Sequence, residues 1–377
     1  MAIGDTASVQ MRSSGDPLKI IEIGDKPLVK LAYPEETWFF STAALAHQTD
    51  EQARIYNITP ATIPLLHRLL SDPSVTLIVC HPTPSAPWNP RIVFRAIFNR
   101  RIFSGHFPLL RWFGPQFLRR RLEAPLVIVD QDDFPLIDSA NLFLLKRCKL
   151  YFKRELPVDR WRVFLRTAHV NLPTYRFRRK LHWAALVEKL RPISLGLPLG
   201  HPENFPQSAD KTADLFFAGR VEGSSWVRKV GMAELEALRA QGVRVDYVQG
   251  QVSREEFYAR CAASWLTWSP EGYGWDCFRH YEALACGSIP VCNQPTIERY
   301  QPLLEDRHAF FYASEPGALQ AAVLAALADK DRLRRMAAVG QAHVMAHHRP
   351  LALARHIVEQ GLADSLSAPM IEAETAR

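Results

Sequence analysis

Two features common in membrane and secreted proteins are missing from this sequence. None of its 377 residues lies in a run of about 18 consecutive apolar residues, the length that a membrane-spanning helix needs. Residues 1–17 have no apolar core behind a basic head, so no secretory signal is expected. The composition is 47% hydrophobic and 23% charged, which excludes a mostly disordered chain. A chain of this length suits two domains of ordinary size.

The cysteines and glycines exclude further classes of site. The six cysteines include no CxxC pair and show no metal-ligand spacing. Cys80 ends the apolar run TLIVC, where a buried, reduced thiol is expected, so we expect a cytosolic, reducing location. No GxGxxG follows a predicted strand, which argues against a dinucleotide-dependent oxidoreductase.

The positive charge is concentrated in the first half of the chain. The formal net charge is +7; residues 91–122 contain eight arginines and no acid, and residues 146–180 contain twelve Lys or Arg against two acids. Such a field attracts polyanions, anionic lipid headgroups or phosphorylated substrates without distinguishing among them. In residues 91–121 the arginines are mixed with aromatic and aliphatic residues, which suits the headgroup boundary of an anionic membrane. A pair of amphipathic core helices with a solvated basic face explains the same pattern.

Strand-like and helix-like segments alternate between two polar tails, residues 1–17 and 363–377. This order predicts an α/β fold with two Rossmann-like domains, whose parallel sheets face a central cleft. The predicted divisions are residues 18–198 for the first α/β domain, 199–211 for a Pro-rich hinge, 212–345 for the second α/β domain, and 346–362 for a C-terminal helix that could cross back to the first domain.

Two patterns of the capping-box type predict helix starts. Thr49-Asp50-Glu51-Gln52 precedes ARIYNI, and Ser253-Arg254-Glu255-Glu256 precedes FYARCAAS. In each, a hydroxyl and an acidic or amide side chain three positions later could satisfy free N–H groups of a first helical turn. We therefore expect a helix after each pattern.

The most informative stretch is RHYEALACGSIPV, residues 279–291. Glu282 lies near the start of the helix predicted for DCFRHYEALACG, which follows the glycine-rich loop EGYGW (271–275). A helix N-terminus carries free N–H groups and partial positive charge, which suit a diphosphate. A carboxylate within two turns of it can accept hydrogen bonds from the paired hydroxyls of a sugar. Alternatively, Glu282 is a solvated helix residue and ALACG belongs to the core.

The segment EALACGSIPV resembles the EAxAxGxPV element in the nucleotide-sugar domain of GT-B glycosyltransferases, closest to the exostosin-like and spore-maturation-type branches. The strand LFFAGR, followed by Arg228 and Lys229, is similar to the opening strand, glycine loop and phosphate-binding basic pair of that domain. The resemblance covers residues 212–345. It implies a GT-B fold, a nucleotide-diphosphate sugar as donor, and a ribose-binding role for Glu282.

One position departs from the retaining branch of that family, in which a second glutamate stands closer to the first along the chain. Position 274, which would match it, is Gly, and Glu271 lies eleven positions before Glu282. Either an insertion in the loop lets Glu271 reach the donor sugar, or that contact is absent. The stereochemical outcome, retention or inversion, therefore stays open.

The remaining donor contacts are expected near the strand ends of the second domain, where backbone can approach a phosphate closely. Cations there would offset the charge that builds on the leaving group. The expected donor-binding residues are Gly219, Arg220, Arg228, Lys229, Gln249, Tyr273, Arg279 and Glu282. A plain surface charge is the alternative for Lys229, an ordinary turn for Gln249, and simple packing for Tyr273.

A catalytic base is expected from the first domain. The segment VIVDQDDFPLI (127–137) places Asp130, Asp132 and Asp133 after a strand that faces the predicted cleft. A carboxylate there could deprotonate an acceptor hydroxyl, as an inverting transferase requires. His81, directly after TLIVC, could serve similarly. Alternatively, the aspartates form a turn and a helix cap, and His81 is structural.

These features predict a glycosyltransferase that moves a sugar from a nucleotide-diphosphate donor to a glycan or lipid-linked acceptor in cell-envelope synthesis. No cofactor or metal is expected, because the DxD-like letters of Asp130-Gln131-Asp132 lie in the other domain from the phosphate loop. A cytoplasmic location, with peripheral contact to an anionic membrane, accompanies that acceptor. The alternative is a non-catalytic polyanion or nucleic-acid binder. Nucleic acid is not an expected partner, because the cations match no recognised binding module.

Overall fold

The computed structural model describes residues 17–42, 49–82, 115–138, 141–165, 183–250 and 252–363. The strands described in the first half are β1 (Ile20–Gly24), β2 (Thr37–Ser41), β3 (Ile55–Asn57), β4 (Leu77–Cys80), β5 (Leu126–Asp130), β6 (Leu150–Lys153) and β7 (Leu190–Pro192). The α-helices described there are α1 (Leu28–Ala32), α2 (Ile63–Leu70), α3 (Leu142–Arg147) and α4 (Ala184–Val187).

The second half repeats the alternation with longer helices. Its strands are β8 (Ala213–Gly219), β9 (Val245–Gln249), β10 (Ser264–Trp268), β11 (Ile289–Asn293) and β12 (Phe310–Tyr312). Its helices are α5 (Trp226–Ala240), α6 (Arg254–Ala262), α7 (Phe278–Ala285), α8 (Ala318–Leu327), α9 (Lys330–His347) and α10 (Pro350–Leu362).

The strands form two separate parallel sheets. The first has the order β3-β2-β1-β4-β5-β6-β7 and the second the order β12-β11-β10-β8-β9. Every residue of β1, β4, β5, β10 and β11 is buried, as expected for parallel strands covered by helices on both faces. Full burial of each aliphatic side chain contributes about 1.5–3 kcal/mol. The predicted α/β fold with two Rossmann-like domains is confirmed.

The two capping-box predictions have opposite outcomes. Ser253 caps α6, because its hydroxyl accepts the N–H of Glu256 at 3.1 Å. The helix predicted after Thr49 is wrong: residues 51–54 form a turn and the chain continues into strand β3. The Asp50 carboxylate accepts the N–H of Ala53 at 2.9 Å and closes that turn, and β3 then pairs with β2.

The last helix packs on the first sheet rather than on the second. Leu353, Ala354 and Ile357 of α10 lie in one buried cluster with residues of β1, β4 and β5. The two halves also meet through Arg160, whose guanidinium donates to both carboxylate oxygens of Glu298 at 2.6 and 2.7 Å. A β-bridge between Pro157 and Ile297 lies beside this pair. These contacts join the first sheet to the segment after β11.

The arginine-rich segment 91–121, which was expected to contact an anionic membrane, is described only from residue 115 onward. Residues 91–114 lie outside the described ranges. In the ranges that the structure describes, no helix combines the length and apolar character needed to cross a bilayer.

A buried histidine at the C-terminal end of α9 should make the fold sensitive to acid. His348 bonds to the hydroxyl of Ser194 through Nδ1 at 2.8 Å and to the carbonyl of Gln301 through Nε2 at 3.0 Å. Burial lowers the pKa of His348 to about 3. The unfolded chain binds a proton there near pH 6.5 but the folded chain does not, so stability falls as the pH drops below 6.5.

We therefore expect the free energy of unfolding to fall by about 2 kcal/mol between pH 7 and pH 5 because of His348. Urea unfolding at the two pH values measures this, with His348→Gln as the comparison. The variant should lose less stability than the native chain over that interval. Equal losses in the two proteins would contradict the assignment.

Candidate functional site

A cavity of about 940 Å³ lies between the two sheets. Its walls come from the residues that follow β1, β4 and β5 on one side, and β8, β9 and β10 on the other. Parallel sheets bind ligands at this edge, the carboxyl ends of their strands. The predicted site residues that line the cavity are His81, Asp132, Asp133, Gly219, Arg220, Arg228, Tyr273, Arg279 and Glu282.

Arg228, in the first turn of α5, is held by backbone rather than by an acid. Its Nε donates to the carbonyl of Glu271 and its Nη1 to the carbonyl of Arg220, both at 2.9 Å. A Cβ on Gly272 would lie 3.1 Å from Nη2, so the glycine leaves space for the guanidinium. Burial and, to a smaller extent, the charge of Arg279 lower the pKa of Arg228 to about 10.

Arg279, in the first turn of α7, is a second cation on the same wall. Its guanidinium lies over the ring of Phe217, 5.3 Å from the ring centroid, and against the end of β8 at Gly219. Its Nη1 is buried and has no hydrogen-bond partner in the described part of the chain. Within that part, neither Arg279 nor Arg228 forms an ion pair with a carboxylate. Arg228 is buried and Arg279 is half-buried, and two neighbouring guanidinium groups that form no ion pair favour an anion between them.

Glu282 follows Arg279 by one turn of α7 and faces the same cavity. Its Oε1 accepts the hydroxyl of Tyr258 at 3.0 Å, which fixes the carboxylate. Burial raises the pKa of Glu282, although this hydrogen bond opposes the shift. Arg254 and Phe257 of α6 line the cavity beside it. The Glu282 carboxylate thus lies near the guanidinium groups of Arg279 and Arg254, and the ring of Phe257 lines the same cavity.

The first-domain wall carries the candidate bases, with one exception. Asp132 and Asp133 line the cavity, and burial together with the charge of Asp130 raises the pKa of Asp132. Asp130 itself is only 6% exposed and does not line the cavity. It accepts the hydroxyl of Tyr151 at 2.7 Å and pairs with the buried Lys153 at 3.1 Å. The prediction that Asp130 faces the cleft is therefore wrong, because these buried partners hold it inside the sheet.

Sequence reasoning missed Glu22, which lies behind this wall. It is fully buried on β1 and accepts a hydrogen bond from His81 Nε2 at 2.9 Å. A single acid within the apolar strand IIEIG is the signal that could have drawn attention to it. A buried carboxylate is costly without partners, so such an acid implies specific donors around it.

Comparison with protein families identifies part of the chain. A family model described as glycosyl transferase-like matches residues 207–359, which contain β8 to β12 and the cations and carboxylate of the cavity. Residues 207–359 are thus similar to a glycosyl transferase-like domain. None of the curated proteins compared by sequence matches the chain.

Solved structures show the same architecture over nearly the whole chain. Sucrose-phosphate synthase from Thermosynechococcus elongatus is 12% identical, with a TM-score of 0.53 over 91% of this chain and 98% of its own. The apo structure of OtsA is 10% identical, with a TM-score of 0.51 over 93% of this chain and 100% of its own. At such low identity these similarities show the fold alone. The protein has the GT-B fold.

The other two predicted donor-binding residues are Lys229 and Gln249, of which only Lys229 has a described side chain. Lys229 is exposed on α5 and does not line the cavity, as expected for the neighbour of an inward-facing helical residue. Gln249 ends β9, and its side chain lies outside the described residues, although the adjacent Gly250 lines the cavity. Arg220 and Tyr273 line the cavity with exposed side chains.

In the loop 271–275, which departs from the retaining branch of glycosyltransferases, neither Glu271 nor Gly274 presents a carboxylate to the cavity. Glu271 does not line the cavity; its Oε2 accepts from Asn293 Nδ2 at 3.0 Å. At Gly274 a Cβ would lie 2.5 Å from Oε1 of Glu155, a residue of the first half. Glu155 accepts the N–H groups of Trp275 and Asp276, each at 2.9 Å. A carboxylate from the other domain thus occupies the space beside position 274.

Proposed function

We propose that this protein transfers a sugar, a hexose or a pentose, from a nucleotide-diphosphate sugar to a glycan or glycolipid acceptor. The observation that carries the proposal is the cavity wall formed by Arg228, Arg279 and Glu282. It presents two guanidinium groups without a described acid partner and a fixed carboxylate within one helical turn. A diphosphate supplies the missing negative charge, and a ribose supplies a hydroxyl pair for the carboxylate.

The same cations give the wall a role in the reaction. When the bond between the sugar and the diphosphate breaks, negative charge grows on the leaving phosphate. Arg228 and Arg279 are already in place, and α7 adds the partial positive charge of its N-terminus. We propose that these groups neutralise the leaving group without a metal ion.

The acceptor belongs on the opposite wall in this proposal. His81, Asp132 and Asp133 line the first-domain side, where an acceptor hydroxyl could reach the anomeric carbon. We propose a glycan or lipid-linked acceptor of the cell envelope, met by a cytoplasmic enzyme at the inner face of the plasma membrane. The basic composition of the first half supports contact with an anionic membrane surface.

A thermal-shift panel tests the donor class. The probes are UDP, GDP and dTDP sugars, with a CMP sugar as a monophosphate comparison. A diphosphate donor at about a hundred times its Kd should add about 2.7 kcal/mol to the free energy of unfolding and raise Tm measurably. We expect this shift to shrink in Glu282→Ala and to persist in Glu255→Ala, an exposed control on α6.

Two results would contradict the proposed function. One is a panel in which no nucleotide-diphosphate sugar changes Tm. The other is binding of random RNA that depends on salt and is unchanged in Glu282→Ala, which would favour a polyanion binder.

A further inference from the structure

Glu22 has an unusually complete set of hydrogen-bond donors for a fully buried acid. Its Oε1 accepts the N–H groups of Leu28 and Val29, and its Oε2 accepts that of Lys30, all at 2.9 Å. The fourth donor is His81 Nε2 at 2.9 Å from Oε1. Three backbone N–H donors hold the carboxylate in one orientation. Glu22 is therefore a fixed acceptor for one particular nitrogen of the His81 ring.

His81 is fixed from a second side by Gly24. A Cβ at position 24 would lie 2.6 Å from Cδ2 and 2.9 Å from Cγ of the ring, so this edge packs directly on the glycine backbone. With Nε2 directed to Glu22 and the Cδ2–Cγ edge against Gly24, the Nδ1–Cε1 edge is the one left. The residue lines the cavity. In the described part of the chain, Nδ1 makes no hydrogen bond.

From this geometry we infer that Glu22 and His81 act together as the base that activates the acceptor, with Glu22 the positioning residue. Glu22 holds the proton of the neutral ring on Nε2, so Nδ1 presents its lone pair to the cavity. The inference rests on the proposed function, and it names the base that the sequence left open among His81 and the aspartates. In a single displacement driven by this base, the configuration at the anomeric carbon inverts.

The proposed step is a single displacement at the anomeric carbon of the donor sugar. The acceptor hydroxyl gives its proton to His81 Nδ1 while its oxygen forms a bond to the anomeric carbon. The bond from that carbon to the diphosphate oxygen breaks, and its electron pair leaves on the diphosphate beside Arg228 and Arg279. Glu22 stabilises the imidazolium that forms, and the proton then passes to solvent. The configuration at the anomeric carbon is inverted.

Other charged groups near the ring define the competing assignments. Those that line the same cavity on the first-domain side are Asp25, Lys26, Asp132, Asp133 and Arg154. Asp133 is paired with Arg154 at 2.7 Å, so its carboxylate is already engaged by a guanidinium group. Asp132 is the remaining alternative, because it lines the cavity and accepts only the N–H of Asp133 among the described residues. The test must therefore separate His81 from Asp132.

The tautomer of His81 can be measured in the unaltered protein without any substrate. Long-range ¹H–¹⁵N NMR spectra distinguish a protonated ring nitrogen from an unprotonated one, and His81→Gln identifies the signals. We expect Nε2 to carry the proton and Nδ1 to be bare at a pH where the ring is neutral. A neutral ring protonated on Nδ1 would overturn the inference, whatever the nucleotide panel shows.

The chemical role is measured by turnover of whichever of UDP-glucose, GDP-mannose or dTDP-rhamnose the native protein hydrolyses, with water as acceptor. His81→Gln should lower the rate about 10²- to 10⁴-fold, and Glu22→Gln about 10²-fold, with UDP or GDP affinity unchanged. Imidazole should partly rescue the rate of His81→Gly. In Asp132→Asn, the rate should still fall at low pH as it does in the native protein, which is the acid limb of the pH profile. If Asp132→Asn removes that limb while His81→Gln keeps the rate, Asp132 is the base and the inference fails.

Discussion

Replacing Arg279 with Gln should weaken the binding of UDP or GDP about 10- to 100-fold. The expected loss is that of one charge-assisted hydrogen bond or ion pair to a phosphate, about 1.5–3 kcal/mol. The substitution should cost little stability, because the guanidinium bonds to no described side chain and its Nη1 is buried without a partner. Isothermal titration with UDP and GDP measures the affinity, and urea unfolding confirms that the variant is folded.

The effect should be specific to the diphosphate. Arg279→Gln should weaken binding of the nucleoside monophosphate less than binding of the diphosphate, since fewer charges are involved. Arg228→Lys keeps a positive charge but loses the fixed contacts to the carbonyls of Glu271 and Arg220, so a smaller loss is expected. Arg239→Gln is the matched control, because this arginine lies on α5 but pairs with Glu236 on the surface. Equal losses in Arg239→Gln and Arg279→Gln would contradict the placement of the diphosphate.

Adding a side chain at position 274 should harm the protein, even when it restores the glutamate of the retaining branch. A Cβ there would lie 2.5 Å from Glu155 Oε1 and 2.8 Å from the backbone oxygen of Asp133. The side chain could yield, but the backbone oxygen could not. We expect Gly274→Ala to lower the free energy of unfolding by about 1–3 kcal/mol and to weaken UDP or GDP binding, with Gly274→Glu worse in both. Urea unfolding and titration measure the two effects.

Glu155 provides the control for this prediction. It holds the loop of Trp275 and Asp276 by two backbone N–H groups, and Arg154 also reaches the carbonyl of Asp276. Burial raises the pKa of Glu155 to about 7, although Arg154 lies beside it. Glu155→Ala alone should weaken donor binding by releasing the loop. Combined with Gly274→Ala it should cost less than the sum of the two single changes, because one clash is relieved. Strict additivity would show that the two positions do not meet.

The second half of the fold was predictable because its signals are local. The strand LFFAGR is an apolar run that ends at Gly219, and Ser253 caps α6 through a bond to the N–H three residues along the chain. The same local reasoning failed at Thr49, where pairing of β3 with β2 decides the structure. Tertiary contacts at long sequence separation override a capping signal of this strength.

The same difference between local signals and long-range contacts explains which site residues the sequence placed correctly. Glu282 and Arg228 were predicted from motifs that resemble the glycosyltransferase domain, and both line the cavity together with Arg279. Asp130 was misplaced because its partners, Tyr151 and Lys153, come from the neighbouring strand β6. The bond from Glu22 to His81 spans 59 residues, and Glu155 reaches Trp275 over 120 residues. No spacing rule covers such contacts, since they depend on the sheet order and on how the two domains meet.

The most direct test of the whole account is isothermal titration of the native protein with matched nucleoside mono- and diphosphates of uridine, guanosine and thymidine. If Arg228 and Arg279 hold a diphosphate beside Glu282, one base should bind, with the diphosphate at least about tenfold tighter than the monophosphate. If no diphosphate binds, or if mono- and diphosphate bind equally well, the cavity does not hold a nucleotide sugar in the way described.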